Sequence, residues 1–388
     1  WPHARGWLKG CRASGSGWGA ASEGMDVASA GVPTDLASLV HEARELEEVA
    51  RAAAASGQSS PMYHALLNHR PVATPCGLVR AALRRPPALS ALQGRVITKN
   101  PADGVFDPSV LGRPEARDEL EVELCLLPAT EGRGATGAVC TLRLWAFLAH
   151  LVLPEELLAS SPPASGSEEE SDGPCASGRS GLGGVFEDGN WTGSLLWDAA
   201  VHATAHLLGS REWSLTVAES ACVLELGAGL GLPALACAAA LGARRVAISD
   251  RVPQVLGMLE ENVARNFGSP VGTSCERSCT AVVSVEALDW SASAARELPG
   301  RLGVPRVDIV ICCDCILERF FGAAEALAEF LGALAASNSR LRVLLASELR
   351  PACGVWAFLE RSARDFEVRR VRTIGLVHLY ELRARSTV

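Results

Sequence analysis

Strand-like runs alternate with helical runs from residue 191 to the end of the chain, and this order restricts the fold more than any other feature. "ACVLEL", "RVAISD", "TAVVSVEAL", "VDIVICCD" and "LRVLLASEL" are short, apolar and bounded by turn residues, as strands are. "SLLWDAAVHATAHLL", "LPALACAAALG", "VPQVLGMLEENVARNF", "GAAEALAEFLGALAAS" and "VWAFLERSARDF" carry helical spacing among them. Helices of this length between strands imply parallel crossovers, so the expectation is a doubly wound α/β sheet. Two last strands, "EVRRVRTI" and "LVHLYELR", joined by a short link, predict a terminal antiparallel hairpin.

The first strand runs into "VLELGAGLGLP", residues 223–233, with Gly227, Gly229 and Gly231 at every second position. Glycine lets the chain turn tightly with no side chain in the way, at the strand end where ligands of open α/β sheets bind. The spacing is GxGxG rather than the GxGxxG of the dinucleotide fingerprint, and Glu225 precedes it. Asp250 ends the second strand, where an acid accepts hydrogen bonds from ribose hydroxyls. Asp289 and Trp290 follow the third strand in "LDW"; a carboxylate and an indole bracket an adenine, one accepting from its exocyclic amine and one offering an apolar face. Asp314 follows the fourth strand in "CCDCIL", facing the same cleft.

The remaining 190 residues say less. From Asp35, Leu36, Leu39, Val40, Leu46 and Val49 follow helical spacing, with Thr34 or Asp35 as N-cap. Residues 57–118 are rich in Pro, Gly and Arg and suggest short helical fragments at best, so residues 1–118 read as an N-terminal accessory region, partly helical and partly disordered. "LEVELCLL" and "AVCTLRLWAFL" predict a strand hairpin within 119–160. Residues 161–190 hold six acids, one arginine and many Ser, Gly and Pro, which reads as a disordered insertion before a catalytic domain at 191–388.

Bulk properties exclude several classes. A formal charge of −8 argues against nucleic acid and acidic membranes as partners, since both need a basic surface. Thirteen cysteines without a regular framework suggest reduced thiols, and Cys312, Cys313 and Cys315, like Cys275 and Cys279, read as small apolar residues. No apolar run reaches the ~18 residues that span a bilayer. Residues 1–22 contain Arg5, Lys9 and Arg12 but no acid, which loosely suggests a mitochondrial or plastid transit peptide, with Met25 as the alternative start. His202 and His206 stand four apart on a helix, but with no third ligand in view they read as packing residues, and no metal site is expected. No lysine follows Lys99, which removes the Tyr-x-x-x-Lys pair that a short-chain oxidoreductase needs.

"TGSLLWDAA", "VLELGAGLGLP", "ISD" with "LEENVARN", "ALDW", "VDIVICCDCIL" and "ASELR" together resemble the successive motifs of the seven-β-strand methyltransferases that use S-adenosylmethionine. More narrowly they resemble methyltransferase family 16, the protein-lysine branch, including relatives of the elongation factor 2 lysine methyltransferases, over roughly residues 190–383. The resemblance implies a Rossmann-like seven-stranded sheet and S-adenosylmethionine as cofactor. It implies that Glu225, Gly227, Gly229, Gly231 and Asp250 hold the methionine and ribose portions, Asp289 and Trp290 the adenine, with Trp197 packed beside the cofactor. Asp314 then orients the acceptor amine, with proton acceptance as a second role. The family places Tyr three residues after this acid, and this chain has Leu317. A nucleic-acid amino-methylase would show a Pro-Pro-aromatic run after that acid, where this chain has "DCIL". The expected function is therefore methyl transfer to a lysine of a protein partner by a monomeric, cytoplasmic enzyme; the alternatives are a non-protein substrate or a catalytically silent cofactor-binding relative.

Overall fold

The computed structural model describes residues 35–54, 71–83, 118–125, 139–146, 193, 195–268, 281–317, 323–350 and 353–385. The acidic segment 161–190, residues 1–34, and Cys275 and Cys279 lie outside the described residues. Helix α1 is Leu36–Ala54, and strands β1 (Val72–Ala73), β2 (Val79–Leu83), β3 (Asp118–Cys125) and β4 (Val139–Ala146) follow. Then come α2 (Asp198–Gly209), α3 (Arg211–Glu219), β5 (Val223–Leu226), α4 (Leu232–Ala240), β6 (Arg245–Asp250), α5 (Pro253–Phe267) and β7 (Val282–Ala287). The chain ends with α6 (Ala292–Leu302), β8 (Ile309–Cys313), α7 (Ala323–Ser337), β9 (Arg342–Glu348), α8 (Val355–Ser362), β10 (Phe366–Ile374) and β11 (Val377–Ala384).

The large sheet has seven strands in the order β7-β6-β5-β8-β9-β11-β10. From β7 to β9 every pairing is parallel, and β11 runs antiparallel to both β9 and β10. The predicted terminal hairpin is therefore present, with its second strand inserted beside β9. Strands β5 and β8 are buried at every position, as a parallel sheet covered on both faces requires. Alternate residues serve opposite cores: Val223, Ile309 and Ile311 face α2, α4 and α5, while Leu224, Val310 and Cys312 face α6, α7 and α8.

Two helices escape a reading from periodicity. Helix α3 buries only Trp213 and Val217, too few apolar positions to announce itself. Helix α6 carries Pro299 in its last turns and starts with small residues, yet the Ser291 hydroxyl accepts the Ala294 N–H at 3.1 Å and supplies its N-cap. Within 57–118, where helical fragments were expected, residues 72–73 and 79–83 form strands instead. Val79 and Ala81 are buried while Arg80 is exposed, a period-2 alternation concealed by alanine and arginine, both good helix formers. Asp35 caps α1, accepting the Ser38 N–H at 2.9 Å. Helix α1 packs on α8 and β10, where Arg44 stacks 4.1 Å from the Trp356 ring and Glu42 pairs with Arg370.

The small sheet, β1-β2-β3-β4, is antiparallel throughout, with the predicted hairpin as β3 and β4. Its edge strand β4 continues its hydrogen bonding onto two side chains of α5. Asn262 accepts the Trp145 N–H at 2.6 Å and donates to the Trp145 carbonyl at 3.3 Å; Asn266 accepts the Arg143 N–H at 3.0 Å and donates to its carbonyl at 2.8 Å. Spaced four apart on α5, the two amides mimic a neighbouring strand and satisfy an edge that would otherwise stay open. Asn262 Nδ2 also lies 3.4 Å from the Leu230 carbonyl, so the same residue ties the small sheet to the glycine turn. Removing that amide strands a backbone donor and acceptor, each costing about 1–3 kcal/mol where water cannot reach. Asn262→Ala is expected to lower unfolding free energy by about 1–3 kcal/mol, measured by urea denaturation, with a surface control such as Glu260→Ala near neutral.

Candidate active site

Strand β5 lies between β6 on one side and β8 on the other, and the connections leave it toward opposite faces of the sheet. This is the switch point of a doubly wound sheet, and ligands of such sheets bind at the carboxyl ends of the strands there. Gly227, Gly229 and Gly231 follow β5 with φ of 57°, 55° and 75°, all in the left-handed region that side chains disfavour. Crowding adds a second reason for glycine. A Cβ on Gly227 would stand 2.9 Å from that of Cys315 and 3.5 Å from the Trp290 ring, and one on Gly229 would stand 2.9 Å from the Gly193 carbonyl oxygen. The Ala228 N–H donates to the Ser249 carbonyl at 3.0 Å, which pins the turn to β6.

Both acids near the turn are buried and bonded. Asp250 accepts the Gly229 N–H at 3.3 Å through Oδ2, and the Arg251 and Val252 N–H groups at 2.8 and 3.1 Å through Oδ1. Burial raises its pKa against these three donors. Glu225 Oε2 accepts the Ala234 N–H at 2.8 Å, in the first turn of α4, and burial pushes this carboxyl up to about 8. Trp290 is half-buried against the core on the α6 and α7 face, and Asp289 beside it is exposed. The turn thus has Asp250 and the Trp290 ring beside it, while Asp289 is exposed.

Asp314 stands at the end of β8 with φ 53°, the one positive φ outside glycine among the described residues. Its N–H donates to the Ala346 carbonyl at 2.9 Å. Its side chain is 3% exposed, with Oδ1 accepting the Glu348 N–H at 2.8 Å and Oδ2 accepting from Arg350 at 2.9 Å. Arg350 also meets Glu348 Oε2 at 2.5 Å and stacks 4.9 Å from the Trp197 ring, at the start of α2. Asp314 and Trp197 thus share one guanidinium, which the expected site residues did not include. Glu348 and Arg350 lie within "ASELR", a motif already in the sequence reading, but nothing in the sequence alone showed that they meet Asp314. Leu317 packs against the apolar core on the α6 and α7 face.

Other clusters are structural. His202 is buried, and burial pushes both His202 and His206 down to about 4, with Arg372 adding to the shift, so both are neutral at pH 7. Cys312, Cys313 and Cys315 are buried free thiols, and burial raises the first two well above their ordinary range. No described helix is long and apolar enough to cross a membrane.

Residues 185–363 match the family model described as lysine methyltransferase. Among characterised proteins, the chain is similar to calmodulin-lysine N-methyltransferase of Arabidopsis thaliana, 34% identical over 99 residues that cover 26% of this chain and 28% of that protein. It is similar to protein-lysine N-methyltransferase EEF2KMT of Homo sapiens, 32% identical over 133 residues, covering 32% of this chain and 36% of that one. A third relative is secreted RxLR effector protein 48 of Plasmopara viticola, 29% identical over 139 residues, covering 36% of this chain and 68% of that one. The chain thus spans about a third of the length of the two methyltransferases that it matches. Strand order and the glycine turn agree with that match: residues 185–363 are similar to the lysine methyltransferase family.

Proposed function

We propose that this domain transfers a methyl group from S-adenosylmethionine to the side-chain amine of a lysine in a protein partner. The observation that carries the reading is the left-handed glycine turn with the buried carboxyl of Asp250 and the Trp290 ring beside it. A side-chain-free turn next to an acid and an indole fits an adenosine with a charged tail. Gly227, Gly229 and Gly231 let the backbone approach the methionine portion, Asp250 accepts from the ribose hydroxyls, and Trp290 with Asp289 borders the adenine. Trp197 closes the side near Arg350. The names of two relatives favour a protein lysine as acceptor, and the formal charge of −8 disfavours nucleic acid.

The bound cofactor supplies an electrophilic methyl on a sulfonium. What the chain has to do is hold a neutral amine in line with that methyl and keep water out. Asp314 and its neighbours at the ends of β8 and β9 form the wall facing the amine. The negative charge of this wall stabilises positive charge growing on nitrogen.

The test is methyl transfer from radiolabelled S-adenosylmethionine into a whole-cell protein extract, with hydrolysis to identify the labelled residue. Label on methyl-lysine supports the reading. Label confined to RNA or small molecules contradicts the protein acceptor, and a calorimetric titration with no binding contradicts the cofactor. Gly229→Ala is expected to weaken cofactor binding at least ~10-fold, because a left-handed backbone costs a side chain about 1–2 kcal/mol before the Gly193 contact is counted. Glu225 generates a further prediction. With its carboxyl pushed up to about 8, it is mostly protonated at pH 7 in the free protein, and an ammonium brought beside it lowers that pKa. Binding at pH 7 should release up to about one proton, seen as an enthalpy that changes with the ionisation enthalpy of the buffer, and Glu225→Gln should abolish the release. Buffer-independent enthalpy would leave Glu225 as a cap of α4 only.

A further inference from the structure

The two carboxylates at the ends of β8 and β9 are not equivalent. Asp314 is 3% exposed, and both of its oxygens are committed, one to the Glu348 N–H and one to Arg350. Each oxygen already accepts a donor, and at this exposure the side chain leaves little surface for an incoming amine to reach. Glu348, 14% exposed, gives Oε2 to Arg350, and Oε1 receives no hydrogen bond from the described residues. Its side chain points to the α2 face, since Ala346 and Leu344, two and four residues earlier on β9, belong to the core on that face. Trp197 and Asp198 start α2 on the same side, with Arg350 over the Trp197 ring.

We propose that Glu348, through Oε1, is the carboxylate that takes the proton from the substrate ammonium, and that Asp314 is a positioning residue that fixes Arg350 and the end of β9. This inference rests on the methyl-transfer reading above. In the step, an N–H bond of the lysine ammonium breaks, its electron pair stays on nitrogen, and an O–H bond forms on Oε1. The products are a neutral amine and the Glu348 carboxylic acid, which later returns the proton to water.

The surroundings suit that task. Burial pushes the Glu348 carboxyl up to about 7, the negative charges of Asp314 on β8 and Asp198 on α2 add to this, and Arg350 opposes it. An ordinary glutamate near 4.3 is a poor acceptor for a lysine proton near 10.4, and a carboxylate near 7 closes about half of that gap. Arg350 remains cationic throughout, its pKa raised by Asp314 and Glu348 against its own burial. It keeps one oxygen of each acid occupied and leaves the other oxygen of Glu348 without a donor from the described residues.

The experiment compares the full chain with Glu348→Gln and Asp314→Asn by three readouts. These are calorimetric titration with S-adenosylmethionine, carbon-13 NMR titration of glutamate carboxyl groups without ligand, and label incorporation into a whole-cell protein extract as a function of pH. Wild type is expected to show one glutamate titrating near 7 that is missing in Glu348→Gln, and a labelling rate whose acid limb follows that titration. Glu348→Gln should bind the cofactor within about threefold of wild type and lose labelling by about 100-fold or more. Asp314→Asn should move the Glu348 titration downward, because a negative charge leaves and Arg350 turns wholly to Glu348. An effect on packing alone would not shift that titration.

Wild-type labelling by Glu348→Gln, with loss in Asp314→Asn, would overturn the inference while leaving methyl transfer intact. An acid limb in wild type that does not follow the Glu348 titration would overturn it without relying on any variant. Absence of cofactor binding by wild type would remove the underlying reading and the inference with it.

Discussion

With β5 paired in parallel to β6 on one side and β8 on the other, α4 after β5 and α7 after β8 pack on opposite faces of the sheet, which makes the ends of these strands its switch point. The positions proposed to carry the chemistry stand at the carboxyl ends of five neighbouring strands. Gly227 follows β5, Asp250 ends β6, Trp290 follows β7, Asp314 follows β8 and Glu348 ends β9. One topological fact therefore gathers residues that lie more than a hundred positions apart in the chain. Burial on both faces keeps the strand ends fixed, and the proposed ligand contacts lie on the loops beyond them.

Around this frame the polar groups form two connected sets. Asp250 fastens the glycine turn to the start of α5, and Asn262 on that helix fastens the turn to β4 through the Leu230 carbonyl. The small sheet is thus coupled to the turn by side-chain amides rather than by apolar packing alone. On the other side of the turn, Asp314, Arg350 and Glu348 link the ends of β8 and β9, and Arg350 extends the link to Trp197 on α2. A carboxylate buried beside a guanidinium keeps its charge where an isolated one would not. Glu348 sits between these limits, held by Arg350 through one oxygen and raised by burial and its acidic neighbours.

Much of the sheet was legible because parallel strands covered on both faces must be nearly continuous apolar runs, and β5, β6, β8 and β9 are. Helices α3 and α6 were not, since one buries two side chains and the other contains a proline. Strands β1 and β2 were concealed by alanine and arginine, whose local preference is helical and whose β pairing is decided by β3. In the site, spacing along the chain pointed to Gly227, Gly229, Gly231, Asp250 and Asp314, because each closes a strand. Arg350 and Glu348 also close a strand, but their partnership with Asp314 depends on the register of β8 against β9, which no local pattern encodes.

The account stands most directly on where the cofactor lies. A crystal structure of the full chain with S-adenosylhomocysteine would decide it. The account predicts ribose hydroxyls on the Asp250 carboxyl, adenine against the Trp290 ring, and the sulfur within reach of Asp314 and Glu348. A ligand bound elsewhere, or bound at this turn with its sulfur directed away from β8 and β9, would contradict it.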